Sequence, residues 1–218
     1  MHKFLKGLVA LPLSLITYST FAADLDLVTF QQNGDQQTKN VAFFSASASG
    51  QSAAFTSSDW YMITGETKPG VLLRNVDTNH IQRVHYQPNG DLYDQVMTLQ
   101  YMTANKRYYL INTDEAGLDI KVSEGSGSKN TYLYDAVNKT FTAIGITDEG
   151  GQEKIGMAQV SEDGRYVVYS SVRTILDAYP DNGKNQLYLY DVTTKQTKLI
   201  SKGVDDKVFR NGASYASI

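Results

Sequence analysis

One stretch of this chain occurs three times over, and that repetition limits the possible folds more than any single motif does. The clearest copy runs Ser161-Glu162-Asp163-Gly164-Arg165-Tyr166-Val167-Val168-Tyr169-Ser170-Ser171, then Leu187-Tyr188-Leu189-Tyr190-Asp191, and closes at Leu199-Ile200. The copy before it has Thr103-Ala104-Asn105-Lys106-Arg107-Tyr108-Tyr109-Leu110-Ile111 and Tyr132-Leu133-Tyr134-Asp135. A worn first copy keeps Ser47-Ala48-Ser49-Gly50 and Leu72-Leu73-Arg74-Asn75. Gly50, Lys106 and Gly164 stand 56 and 58 residues apart, and Leu73, Leu133 and Leu189 stand 60 and 56 apart. Units that recur at such a period bury their apolar faces by stacking on one another.

Each unit reads as four short strands, A to D. In the last copy strand A ends at Ser161, B is Arg165–Ser171, C is Leu187–Val192 and D is Gln196–Ile200. Asp163-Gly164 is a strong tight-turn signal between A and B, and Asn138-Lys139 and Thr194-Lys195 mark the C–D turns. Strand C is apolar or aromatic at successive positions, so both faces of its sheet are expected to be covered. No helical pattern of 10–15 residues separates the strands, which argues against a parallel sheet flanked by helices. The prediction is an all-β chain of three four-stranded antiparallel sheets, near residues 41–84, 97–144 and 157–200, stacked face to face. Ala216-Ser217-Ile218 follows Ala158-Gln159-Val160 by 58 residues and reads as the opening of a fourth unit. The array is therefore expected to be open, with apolar surface at both ends, including Tyr188, Leu189 and Tyr190.

Ser161–Tyr169 and Asp181–Asp191 resemble the WD40-like, TolB-type β-propeller repeats of exported bacterial proteins. Those repeats carry Ser-x-Asp-Gly-x-x-Ile/Val-x-Phe/Tyr and then a segment like Asp-x-Asn-Gly…Leu-Tyr-Val-Tyr-Asp. The second copy departs at Asn105-Lys106. The first keeps Ser49-Gly50 and has Arg74-Asn75 where Tyr-Asp is expected. The resemblance spans residues 41–218 and implies propeller blades and export. It implies no particular function, because one fold hosts many. The expected organisation is a leader at 1–22, an edge strand within 23–40, blades at 41–96, 97–156 and 157–214, and the start of a truncated fourth blade at 215–218.

The leader has a basic start at His2, Lys3 and Lys6, an apolar stretch at Leu8–Ile16, and small residues at Thr20 and Ala22. That order predicts a signal peptide cleaved before Ala23, and hence a periplasmic or secreted protein. Nine apolar residues interrupted by Pro12 and Ser14 fall short of a membrane span of about 20. No stable membrane insertion is expected after cleavage. Net charge is −3 and becomes more negative once Lys3 and Lys6 are removed. Nucleic acid is thus not an expected partner, since its binders carry a basic patch. The chain has no Cys, so no disulfide supports it.

In such a blade the A–B and C–D turns lie at one end and the longer B–C and D–A connections at the other. The six long connections are 56–70, 85–96, 111–130, 145–157, 171–186 and 201–214. They hold 15 of the 23 acidic residues, Asp148, Glu149, Asp205 and Asp206 among them, against 9 basic ones. An acidic rim of this kind attracts cations or a basic partner surface, although loops are also where solvated charge collects.

No nucleophile elbow, His-Glu-x-x-His, Walker loop or dinucleotide fingerprint occurs, and no catalytic, cofactor-binding or metal-binding residue is assigned. His80 and His85 have the odd spacing that places side chains on opposite strand faces, poor for sharing a metal. Asp177, Asp181, Asn182 and Asn185 have the oxygen chemistry of a Ca²⁺ site without the spacing of an EF-hand; a Pro-Asp-Asn-Gly turn accounts for them equally. Asp163 reads as a turn acceptor rather than a catalytic acid. Gly125-Ser126-Gly127-Ser128 reads as a loop tip rather than a phosphate cradle. The functional expectation is a non-catalytic, exported scaffold that binds a protein or polymer at its long-loop face. The alternative is the gating propeller of a larger hydrolase, of serine-peptidase type, whose catalytic domain lies elsewhere.

Overall fold

The computed structural model describes residues 41–57, 62–63, 68, 70–93, 95–115, 118–119, 130–179 and 181–218. The expected leader, the edge strand within 23–40 and the Gly125–Ser128 tip lie outside them. The described residues form twelve strands and no helix. The first sheet holds β1 (Val41–Ala46), β2 (Ser52–Ser57), β3 (Gly70–Asn75) and β4 (Ile81–Arg83). The second holds β5 (Met97–Met102), β6 (Tyr108–Thr113), β7 (Asn130–Asp135) and β8 (Thr140–Ile144). The third holds β9 (Ala158–Val160), β10 (Tyr166–Ser171), β11 (Gln186–Asp191) and β12 (Gln196–Leu199). Each is an antiparallel meander, with neighbours in chain order. The chain is thus all-β and built of three propeller-type blades in an open array. The strand limits fall within a residue of those read from sequence, since hydrogen-bonded turns claim Arg165 and Val192.

The turns follow one plan in all three blades. At the A–B turn Gly50, Lys106 and Gly164 have φ of 72°, 63° and 74°. At the C–D turn Asn79, Lys139 and Lys195 have φ of 57°, 56° and 58°. These are left-handed conformations that end one strand and start the next. A side-chain oxygen three residues before strand B braces each A–B turn. Asp163 Oδ1 accepts from the Ser161 hydroxyl at 2.6 Å and the Arg165 amide at 3.0 Å. Asn105 Oδ1 accepts from the Thr103 hydroxyl at 2.7 Å and the Arg107 amide at 2.9 Å. Ser49 Oγ accepts from the Gln51 amide at 3.3 Å. The sequence's variable Asp, Asn and Ser are three ways of making one Asx- or Ser-type turn.

Burial comes from stacking. Ala54, Val71, Leu99, Met102, Tyr109 and Ile111 fill the space between the first and second blades. Tyr108, Leu110, Leu133 and Ile144 of the second blade meet Val160, Val167, Tyr169, Tyr188 and Tyr190 of the third. Strand A forms the main contact, with β5 against β1, β2 and β3, and β9 against β5 and β6.

Two expectations about the ends of the array need correction. Tyr188 and Tyr190 are buried against the second blade, because their alternation points them inward. Leu187 and Leu189 take the opposite parity, on the face turned away. At the other end, the far face of the first blade is not bare. Phe55, Leu72, Ile81 and Met62 form a separate cluster there, each at most 2% exposed.

Candidate interaction surface

The two ends of each blade differ in how far their polar groups are used. At the tight-turn end the carboxylates of Asp135, Asp163 and Asp191 are engaged in building turns. Asp191 Oδ1 accepts the Thr193 and Thr194 amides, and its other oxygen pairs with Arg165 at 3.1 Å. Asp135 repeats this with Val137, Asn138 and Arg107, the ion pair being 2.9 Å. Asp163 titrates below the usual carboxylate range because the Ser161 hydroxyl, then the Arg165 amide, stabilise its charge. Each of these acids has a turn to hold, and none stands in a cleft.

Neighbouring turns are also joined. The Glu162 carboxylate accepts the Ala104 amide at 2.6 Å and the Asn105 amide at 3.2 Å, while Asn105 Nδ2 donates to the Glu162 carbonyl at 2.8 Å. Between the first two blades, the Ala48 amide donates to the Ala104 carbonyl at 3.0 Å. Glu162 has no local sequence signature of this role. It sits between the two turn positions Ser161 and Asp163, and its partners come from another unit.

At the other end, each D–A connection carries a further small turn that the sequence reading missed. Gln87, Thr147 and Gly203 each donate to the carbonyl four residues on, in Asp91, Gly151 and Lys207. Gly90, Gly150 and Asp206 supply the positive φ. Asn89-Gly90 and Gly150-Gly151 were visible signals at the repeat spacing. Asp206, which fills the third position without glycine, hid the pattern.

The acidic rim divides into used and exposed members. Asp206 pairs with Lys202, and Asp205 with Lys207 at 3.2 Å, so the last connection neutralises itself. Asp119 Oδ2 accepts the Ala143 amide at 3.0 Å, and a Glu115 oxygen accepts the Gln95 amide at 3.0 Å. Asp148 Oδ2 accepts the Asp177 amide at 2.8 Å, which brings the 145–157 and 171–186 connections together. Asp148, Glu149 and Asp177 are all exposed. A groove of about 410 Å³ runs from Asp148 and Asp119 past Leu176 and Tyr190 to Lys195 and Lys198, between the outer edges of the second and third blades.

Of the four calcium candidates, Asp181 and Asn182 are engaged by the turn, while the Asp177 side chain is exposed. Asp181 Oδ1 accepts the Gly183 amide at 2.7 Å, Asn182 Oδ1 accepts the Lys184 amide at 3.1 Å, and Asn182 Nδ2 donates to the Phe209 carbonyl. Among the described residues no three His, Asp or Glu gather as metal ligands. The two histidines do not share a site: His80 is exposed, whereas His85 is 3% exposed among the rings of Tyr93, Tyr134 and Phe141. Neither His85 ring nitrogen has a hydrogen-bond partner. Burial, then the charge of Arg83, holds its pKa down to about 3.

No protein-family model and no curated protein matches this sequence. Among solved structures, similar chains include an oligogalacturonate lyase in complex with manganese (14% identity, TM-score 0.38, covering 68% of this chain and 32% of that one). A structure from a study of two prolyl endopeptidases matches at 17% identity and TM-score 0.44, covering 81% and 24%. Dipeptidyl peptidase 4 of Porphyromonas gingivalis matches at 12% identity and TM-score 0.41, covering 77% and 26%. This chain therefore spans about a quarter to a third of the length of each.

Proposed function

We propose that this chain is an exported, non-catalytic scaffold that binds a basic protein or cationic polymer at its long-connection end. The observation that carries the reading is the asymmetry between the ends. At the tight turns Asp135, Asp163 and Asp191 are engaged by turn amides, the Ser161 hydroxyl and arginines, whereas Asp148, Glu149 and Asp177 lie exposed on two connections tied together by a hydrogen bond. Acids presented on ordered loops attract positive surface and speed its encounter, an effect that salt screens. The leader of residues 1–22 supports export.

Fluorescent poly-lysine serves as the probe. Binding is expected to weaken as salt rises from 50 to about 500 mM. It is also expected to fall several-fold in the Asp148→Asn, Glu149→Gln, Asp177→Asn triple variant. The matched change Asp205→Asn, Asp206→Asn, in the self-neutralised connection, is expected to have the smaller effect. Equal loss in both variants, or binding indifferent to salt, overturns the assignment. N-terminal sequencing of the exported protein is expected to start at Ala23.

A further inference from the structure

The two interfaces between blades differ at one place in their tight-turn end. Gly164 of the third blade, at φ +74°, stands against the Tyr108 ring of the second so closely that a Cβ there would lie 2.2–2.5 Å from ring carbons. Tyr108 is buried by this contact. The first interface reverses the sizes: Ser52 takes the place of Tyr108, and Lys106 takes the place of Gly164. A cleft of about 270 Å³ lies there, lined by Ser52 from the first blade and Lys106 from the second.

Strand alternation gives the cleft its chemistry. Ser52 pairs with Asn75 and Leu73 with Gln82 across neighbouring strands, which sets all four on the face of the first blade turned to the second. Thr78 and His80 extend that wall at the C–D turn. In the second interface the residue paired with Tyr108 is Asp135, whose carboxylate is taken up by Arg107 and by turn amides. The first interface has the neutral Asn75 instead. Asn75 Oδ1 accepts the Thr78 amide at 2.9 Å, and its Nδ2 hydrogens are unused among the described residues. The Thr78 hydroxyl accepts the His80 amide at 3.4 Å and keeps a proton to donate. The Lys106 ammonium has no ion pair among the described residues, and no described carboxylate lines the cleft.

We infer that this cleft is a binding site for a single sugar carboxylate, with Lys106 holding the carboxylate and Ser52, Asn75, Thr78 and Gln82 holding ring hydroxyls. The class of ligand follows from the lining. One ammonium and no carboxylate select a monoanion. A phosphate dianion is held by arginine forks or by backbone amides at a helix N-terminus, and neither lines this cleft. Amide and hydroxyl side chains both donate and accept, as sugar hydroxyls do, so each partner satisfies the other. Leu73 and the His80 ring supply a small apolar surface for the C–H face of the sugar. The volume lies just under the ~300–1,000 Å³ range of small-molecule pockets, which suits one ring and excludes a chain. The cleft is at the tight-turn end, so it is separate from the acidic connections at Asp148, Glu149 and Asp177.

The test titrates D-glucuronate into the full chain and follows binding by ligand-detected NMR. A Kd on the order of 1 mM is expected for a ligand of this size. Glucose, which lacks the charge, and acetate, which lacks the hydroxyls, are each expected to bind about tenfold more weakly. Lys106→Gln, at an exposed position, is expected to weaken glucuronate about tenfold, as loss of one charge-assisted hydrogen bond does. The double variant Ser52→Tyr, Lys106→Gly rebuilds the packing of the second interface. It is expected to melt cooperatively and to show no glucuronate binding; should it fail to fold, Lys106→Gln decides alone. The inference is overturned if glucuronate does not bind at concentrations about tenfold above the expected Kd. It is also overturned if glucose or acetate binds as well as glucuronate, or if binding survives Lys106→Gln or the folded double variant undiminished. None of these readouts depends on the acidic connections of the proposed partner site.

Discussion

The first and third blades reach the same backbone with different side chains. In the third, Arg165 and Asp191 form an ion pair across the start of strand B and the end of strand C. In the first, the equivalent residues are Gln51 and Asn75, so both charges are replaced together. The turn contacts remain: Asn75 Oδ1 accepts the Thr78 amide at 2.9 Å, as Asp191 accepts that of Thr194. Ser49 does for its turn what Asp163 does for the third. What persists is the set of left-handed positions and the oxygen that braces each turn, since a turn without them leaves strand-end amides unpaired. Charge and ring size vary freely, provided that they vary in matched pairs.

Glycine at the A–B turn gives the sharpest contrast. Gly50 and Gly164 share a φ above 70°, but a Cβ on Gly50 would meet open space while one on Gly164 would strike the Tyr108 ring. Gly164→Ala is expected to cost about 3 kcal/mol or more, combining left-handed strain with overpacking. Gly50→Ala is expected to cost about 1 kcal/mol, the strain alone. Urea denaturation of the two variants checks this. Equal shifts in midpoint would remove the ring-on-glycine contact as the cause.

Much of this was legible in the sequence because turn chemistry and strand alternation are local. Asp163-Gly164 and the Tyr-Leu-Tyr runs gave the three sheets and their limits to within a residue. What the sequence concealed depends on contacts between units. Glu162 looks like any solvated acid until the neighbouring turn is placed beside it. Alternation shows that Tyr188 and Leu189 face opposite ways but not which way the next blade lies. The spacing of His80 and His85 argued against a shared metal, but nothing local showed His85 to be a buried ring in an aromatic cluster. The rim acids were countable, yet their pairing with Lys202 and Lys207 could not be read from a tally.

The two interfaces also differ in how they should respond to acid. His85 packs between the first two blades, and its equivalents in the later repeats, Gly145 and Ser201, do not titrate. The unfolded chain holds this imidazole near its ordinary pKa of 6.5, while the folded chain lowers it to about 3. Between those values the unfolded state binds a proton that the native state does not. Stability from this group is therefore full above about pH 6.5 and is lost as the pH falls toward 3. The groups around it are Arg83, whose charge adds to the effect, and the rings of Tyr93, Tyr134 and Phe141. From pH 7 to 4.5 the loss is expected to be on the order of 2–3 kcal/mol. His85→Phe should flatten that part of the profile, and an unchanged slope would assign the acid sensitivity to other groups.

The smallest effect belongs to the charge pair that distinguishes the end blades. Arg165 and Asp191 are partly solvated, so their attraction is screened and adds little beyond the turn bonds that Asp191 also makes. Converting the third blade to the chemistry of the first, by Arg165→Gln with Asp191→Asn, keeps an acceptor for the Thr193 and Thr194 amides. Either change alone leaves one member of the pair without its counterpart. The double variant is therefore expected to melt closer to the original than the two single shifts added together. Acid provides a second check with a definite sign. The hydrogen bond from Arg165 holds Asp191 below the usual carboxylate range, so its contribution is present above that range and is lost as the pH falls through the lowered value. The double variant should lose that low-pH dependence while keeping the His85 slope at higher pH. Additive single shifts, or an unaltered low-pH limb, would mean that the pair is not coupled and that the matched replacement in the first blade has another origin.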